Sequence, residues 1–403
     1  MLPPEYFDHA ADDVLTLYSK LDETIIRDIT RRLVKTGNVS ATADWQIERL
    51  QQSGLLYEDI IQRVAEITDA SEQQVQALFE DAGTEALAWD MKIYEASGLS
   101  PVPLRMSPSA MQVLIANLYK TQGHLQNLTM TTAVTTQQAY VNASTLAEMQ
   151  VESGAFDYAT AIRNALKSAI GDGATVLYPT GHVDKLDVAI RRAVLTGVGQ
   201  TTAQISLAYA DDMGCDLVET TAHAGARPEH ASWQGRIFSR AGNHKKYPDF
   251  VKSTGYGTGA GLCGWNCRHS FYPYFEGLSE SAYPRRILDE YNNRTVTYND
   301  KKLPYYDATQ VQRGYERMIR AEKRKLSAYD EGIKTTDSDE LRARLQEDFS
   351  ASSVELKEIE TELRDFLKQT GIDRQSVREQ VLGFNRSVSS KAVHANKKAL
   401  EKA

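Results

Sequence analysis

Between residues 219 and 275 the chain abandons the helical apolar spacing that governs it on both sides, and this break decides what it can fold into. The stretch runs from ETTAHAGARPEH through SWQGRIFS to GLCGWNCRHSFYPYF. It holds four of the eight histidines (His223, His230, His244, His269), two of the three cysteines (Cys263, Cys267) and two of the four tryptophans (Trp233, Trp265). Glycines, aromatics and short β-like runs replace the 3.6-residue period. A helical protein that gathers its rare side chains in one irregular module uses that module for chemistry or for architecture.

The flanks read as helices. Val14, Leu17, Tyr18, Leu21, Ile25, Ile29 and Leu33 recur at helical spacing over 10–36, with Gly37 as a stop. Further helices are expected at 42–52 (ended by Gly54), 57–68, from a Ser71/Gln74 capping box onward, and 85–96 (closed by Gly98). The proline-rich SGLSPVPLRMSPSA breaks the helical group before a helix at 109–122. The Thr/Gln-rich 125–153 fits polar helix faces, and 157–170 an amphipathic helix stopped by the Gly-Asp-Gly at 171–173. A β-hairpin is expected over 174–184, a long helix over 186–210, and strands at 216–222, 236–239 and 270–275. Residues 278–304 read as a polar connector. From Tyr305 the pattern is charged helix, and Leu341, Leu345, Phe349, Val354, Leu356, Ile359, Leu363 and Leu367 form a heptad-like stripe suited to a helical hairpin or coiled-coil arm. Thr370-Gly371 breaks it, and the last residues, from Lys391, are expected to fray. The fold class is therefore α+β and mostly α. A helical region (1–170) precedes a small mixed module with short strands and long loops (171–277), the connector (278–304) and charged helices (305–403).

Composition narrows the function classes. A formal net charge of −8 argues against a general nucleic-acid coat without excluding a local basic strip. The acidic MLPPEYFDHAADD is not a signal sequence, and no apolar run of about 18 residues is present, so no membrane segment is expected. Three cysteines do not make a disulfide framework, which places folding in a reducing cytoplasm.

Four constellations could carry chemistry. Cys263-x3-Cys267-x-His269, with His223 or His230, supplies enough ligands for a structural zinc, which would stiffen a loop-rich unit. Buried small thiols among hydrogen-bonded histidines are the plainer alternative. The same residues, oriented by Glu229 or Asp249, could be drawn as a Cys/His hydrolase, but the spacing does not demand it. The glycine-rich GYGTGAGLCG (255–264) lacks the strand, helix and Lys-Ser/Thr of a phosphate loop and reads as a tightly turning loop. Arg313, Arg317, Arg320 and Arg324 share one helical face that could meet DNA phosphates or an acidic partner, or stand solvated beside Glu316 and Glu322. Trp233, Gly235, Trp265 and Arg268 read as module framework.

Three blocks in order carry a resemblance. HAGARPEHASWQGRIFS with STGYGTGAGLCGWNCRHSFYPYFEG, preceded by ATVLYPTGHVDKLDVAIRRAVLTGVGQTT and followed by YYDATQVQRGYERMIRAEKRKLSAY, resembles the phage minor capsid protein 2 family of tailed phages and prophages. The resemblance covers 174–329. It implies a virion structural protein rather than an enzyme, present in few copies near the portal vertex, in the capsid interior or at the portal, and assembled in the bacterial host cytoplasm. Its implied partners are the portal protein, the major capsid protein and packaged DNA, with roles in head assembly, packaging or ejection. The layout is also similar to MuF-type head-morphogenesis proteins, whose related module ends in a Cys-Arg-Cys-like element. Here the matching residues are Cys267-Arg268-His269, with His223 in place of an upstream cysteine. A DNA-binding assembly factor is the remaining alternative.

Overall fold

The computed structural model describes residues 1–35, 43–172 and 174–401. In chain order the elements are α1 (Tyr6–His9), α2 (Asp12–Val34), α3 (Ala43–Ala96), α4 (Pro108–Glu152), α5 (Tyr158–Asp172), β1 (Thr175–Leu177), β2 (Val183–Lys185), α6 (Leu186–Asp212), β3 (Leu217–Thr220), α7 (Pro228–Ala231), β4 (Ile237–Ser239), α8 (Phe250–Thr254), β5 (Phe271–Pro273), α9 (Arg285–Asn292), β6 (Thr295–Tyr298), β7 (Lys301–Pro304), α10 (Tyr305–Thr335), α11 (Asp339–Thr370) and α12 (Arg386–Leu400). The class is mostly α with a few short antiparallel strands, as the sequence pattern requires. Among the described residues no helix is long and apolar enough to cross a membrane.

Several boundaries differ from the sequence reading. Gly54, expected as a stop, and the Ser71 capping box, expected as a start, both lie inside α3, a single 54-residue helix. The expected stop at Gly37 and the end of the Gly-Asp-Gly stop at Gly173 fall outside the described residues. The Thr-rich segment continues α4 without interruption. Its hydroxyls do not simply decorate a polar face. Thr129, Thr132 and Thr136 are buried, and Thr132 donates to the Leu128 carbonyl at 3.0 Å, the local satisfaction that lets a hydroxyl enter a helix core. The polar stretch 278–304 contains α9 and the β6–β7 hairpin. The last residues do not fray entirely: α12 is capped by Asn385, and its Val388 and Ala392 are buried.

Gly54 gives a direct test of the continuous α3. A Cβ there would meet nothing within 4 Å. Gly54→Ala removes the entropic cost of an interior helical glycine and is expected to stabilise the protein by roughly 0.5–1 kcal/mol in urea denaturation. Were Gly54 a helix terminator, the same change would destabilise.

The chain divides into two compact units. The first comprises Met1–Leu15, Ala70–Gln126 and Ile190–Thr309. Its helical core joins Leu87, Tyr94, Leu104, Leu114, Ile205 and Tyr209. A second cluster joins Ala203, Val218, Trp233, Phe238, Phe250, Leu262, Cys263, Cys267 and Phe271. Helix α6 serves both, because it is apolar on more than one side: Ile205 and Tyr209 enter one cluster and Ala203 the other. The sheet is antiparallel in the order β4-β3-β5, with Val218 opposite Phe238 and Pro273. All four residues of β3 are buried, as befits a central strand covered on both faces.

The second unit comprises Thr16–Asp69, Asn127–Ala189 and Gln310–Ala403. Helix α11 is a core element rather than a free arm. Leu341, Leu345, Phe349, Leu356, Ile359, Leu363 and Phe366 are buried, and α11 packs on α5 and α12. Arg163 reaches Asp348 through two 2.6 Å hydrogen bonds, joining α5 to α11. Gly371 closes α11 in the left-handed conformation, as its position after Thr370 predicts.

Candidate functional site

The irregular module gathers three of its histidines and both of its cysteines around β3 and β5. His230 lies in the short helix α7, and His269 precedes β5. His230, Cys267 and His269 are all buried, and each offers one ligating atom within 4.8 Å of the others. The Cys267 Sγ lies 3.6 Å from the Nδ1 of His269 and 3.9 Å from the Nδ1 of His230. The outer nitrogens are both engaged. His230 Nε2 donates to the Ala260 carbonyl at 2.9 Å, and His269 Nε2 donates to Gln234 Oε1 at 3.0 Å. Gln234 is itself oriented: its amide nitrogen donates to Asn292 Oδ1 at 2.7 Å, and its Oε1 also accepts from the His223 backbone N–H at 3.1 Å.

His223 and Cys263 flank this set without joining it. The His223 ring lies 4.5 Å from that of His269, and its Nδ1–H donates to the Ala224 carbonyl at 2.9 Å. The Cys263 thiol donates to the His269 carbonyl at 3.5 Å. Burial controls the protonation of all five. It pushes His223 down to about 4, lowers His230, and together with the neighbouring histidines holds His269 well below the usual imidazole range. It pushes both thiols up, Cys263 most of all. Burial thus favours neutral imidazoles and protonated thiols, the reverse of a thiolate–imidazolium nucleophile pair.

The framework residues have distinct places. The Trp233 ring stands 4.6 Å from that of His230 and 4.8 Å from that of His269, walling the cluster. A Cβ on Gly235 would lie 2.5 Å from Leu288, so the turn after Trp233 admits no side chain beside α9. Trp265 is mostly exposed, and its carbonyl accepts from Arg227. Arg268 donates to the Pro4 carbonyl at 3.2 Å and pairs with Asp8, tying the N-terminal segment to the module. His244 is an acceptor for the Lys246 N–H at 3.2 Å in a surface turn. Sequence reasoning passed over Gln234 and the Ala260 carbonyl. A buried glutamine between Trp233 and Gly235 was the available signal for the first; a carbonyl has none. It also passed over Glu219, buried in β3, whose carboxyl burial raises and which accepts from Ser281 at 2.5 Å.

The arginine face of α10 belongs to the second unit and is not a free cationic strip. Arg324 donates to Asp22 at 2.7 Å and to Asp187 at 3.3 Å, and Arg320 lies 3.2 Å from Asp187. Both guanidiniums are largely buried, so Arg320 and Arg324 are committed to carboxylates and withdrawn from DNA or a partner. Nor is this a solvated face paired with Glu316 and Glu322, since both of those glutamates are buried too. Arg313 is half-buried, and Arg317 stands exposed.

Against this geometry the comparisons with known proteins are specific. The family model for phage minor capsid protein 2 matches residues 2–368, nearly the whole chain, and the protein belongs to that family. A relative described as a structural protein of Lactococcus phage LL-H is 25% identical over 303 residues, covering 71% of this chain and 77% of that one. A second structural protein, from Lactococcus phage mv4, is 39% identical over 85 residues, 21% of this chain and 58% of its own length. No solved structure matches.

Proposed function

We propose that this chain is a structural, non-catalytic minor capsid protein of a tailed phage or prophage, built into the head near the portal vertex during assembly in the host. The observation that carries this reading is the family match running from residue 2 to residue 368, across the helical flanks as well as the central module. The relatives' description as structural proteins of phages supports it. The portal and major capsid proteins are its proposed partners, and packaged DNA is a neighbour rather than a tightly held ligand. The acidic balance and the commitment of Arg320 and Arg324 to Asp22 and Asp187 favour that arrangement over a DNA-binding assembly factor. The burial of Cys263 and Cys267, which raises both thiols, disfavours a Cys/His hydrolase.

Quantitative mass spectrometry of purified particles tests the reading. The chain is expected in mature virions at a small fraction of the major capsid protein's copy number. Its absence from particles, or a copy number matching the major capsid protein, would sink a portal-vertex role.

A further inference from the structure

We propose that the Nδ1 atoms of His230 and His269 and the Sγ of Cys267 form a zinc(II) site inside the module, with one tetrahedral position left to an exogenous donor. A neutral imidazole carries one N–H and one bare nitrogen. Ala260 O and Gln234 Oε1 can only accept, so the proton of each histidine sits on Nε2. Both Nδ1 lone pairs are therefore bare, and both face the same sulfur. A thiol has one hydrogen and can serve only one of them. At least one buried lone pair in the set is left without a proton, the kind of deficit a buried polar group does not normally carry.

A single metal ion resolves the deficit. With Zn–S near 2.3 Å and Zn–N near 2.0–2.1 Å, the edge between sulfur and nitrogen ligands of a tetrahedral site is about 3.6 Å. The two sulfur–nitrogen separations here are 3.6 and 3.9 Å. Two imidazoles and a thiolate suit zinc in softness. The outer contacts are those of a metal site as well. Each ligating histidine gives its one N–H, on Nε2, to a carbonyl-type oxygen, and Gln234 is locked in turn by Asn292. On binding, Cys267 loses its thiol proton to solvent as the Zn–S bond forms.

The test uses the full chain, produced without a polyhistidine tag in zinc- or cobalt-supplemented medium. Elemental analysis is expected to find about one zinc per folded chain. The cobalt form is expected to show a thiolate-to-cobalt charge-transfer band with the intensity of one thiolate. Cys267→Ser should lose that band and His230→Gln should lose metal, while Cys263→Ser, outside the set, keeps both. Gln234→Leu should weaken zinc affinity by about 10–100-fold. Circular dichroism establishes that each variant is folded, and the wild-type cobalt spectrum decides the matter if the cysteine variants are not. Folded wild-type protein that takes up no zinc and shows no cobalt–thiolate band overturns the proposal, as does a band that survives Cys267→Ser.

Discussion

Arg324→Met is expected to cost about 3–5 kcal/mol of stability, read by urea denaturation at neutral pH. Arg324 sits on α10 with only 13% of its side chain exposed, between Asp22 at 12% and Asp187 at 24%. Removing the guanidinium takes the cation from Asp22 and leaves Asp187 with Arg320 alone, in a site that water reaches poorly, and the cost is the stranding of Asp22 rather than the lost contact. Two comparisons isolate that cause. Arg317→Ala, two turns earlier and exposed, is expected to change stability by less than about 0.5 kcal/mol. Adding Asp22→Asn to Arg324→Met removes the stranded charge, while Asp187 keeps Arg320, and should recover much of the loss. The pH dependence follows the same logic. Burial alone would raise the Asp187 carboxyl, but Arg324 and Arg320 more than offset it and hold the group below its usual value. A depressed carboxyl contributes stability that is present above the unfolded value of about 3.9 and is lost as pH falls through the lower native value. The gap between wild type and variant should therefore narrow below pH ~4. If Arg324→Met proves as benign as Arg317→Ala at neutral pH, the ion network is not structural and the face is open to a ligand.

These arginines also show what a sequence can and cannot disclose. Helical periodicity places Arg313, Arg317, Arg320 and Arg324 on one face, and it does so reliably. It does not say which way the face points, because Asp22 and Asp187 lie 302 and 137 residues away along the chain from Arg324. The stripe of α11 was legible from Leu341 to Leu363, since apolar spacing is a local property, but its partners α5 and α12 were not. Gly54 misled for a quantitative reason. An interior glycine costs a helix only about 1 kcal/mol, a deficit that packing of Leu56, Ile60 and Val64 can offset. In the module, residue type and proximity marked His223, His230, Cys263, Cys267 and His269. The division into three converging donors and two flanking residues depends on Ala260 O, Gln234 and the path of the glycine-rich loop, none of which spacing specifies.

That loop carries the second large expectation. Gly261→Ala should destabilise the protein by about 3 kcal/mol or more, at or beyond the upper end of ordinary overpacking. A Cβ on Gly261 would lie 2.0 Å from the Gly255 carbonyl oxygen and 2.3 Å from its carbon. Both are backbone atoms, so no side chain can swing aside. The two passes of the backbone cross closely because the loop bonds to itself: Thr258 Oγ1 donates to Gly255 O at 2.8 Å, Gly261 N–H donates to Thr258 Oγ1 at 3.1 Å, and Leu262 N–H donates to Thr254 O at 3.0 Å. These amides point inward at protein acceptors, which is why a glycine-rich run here makes a knot of backbone rather than a cradle for phosphate. Gly257→Ala is the control. Its φ of +90° penalises a side chain, yet nothing lies within 4 Å, so a smaller loss of about 1–2 kcal/mol is expected. Because the loop delivers both the Ala260 carbonyl to His230 and Cys267 to the two histidines, Gly261→Ala should also disperse the three-donor cluster and Gly257→Ala should leave it intact. Urea denaturation of the two variants side by side measures the difference. Equal losses would mean that the crossing at Gly255 and Gly261 does not hold the module together, and the burden would shift to the sheet and to Trp233.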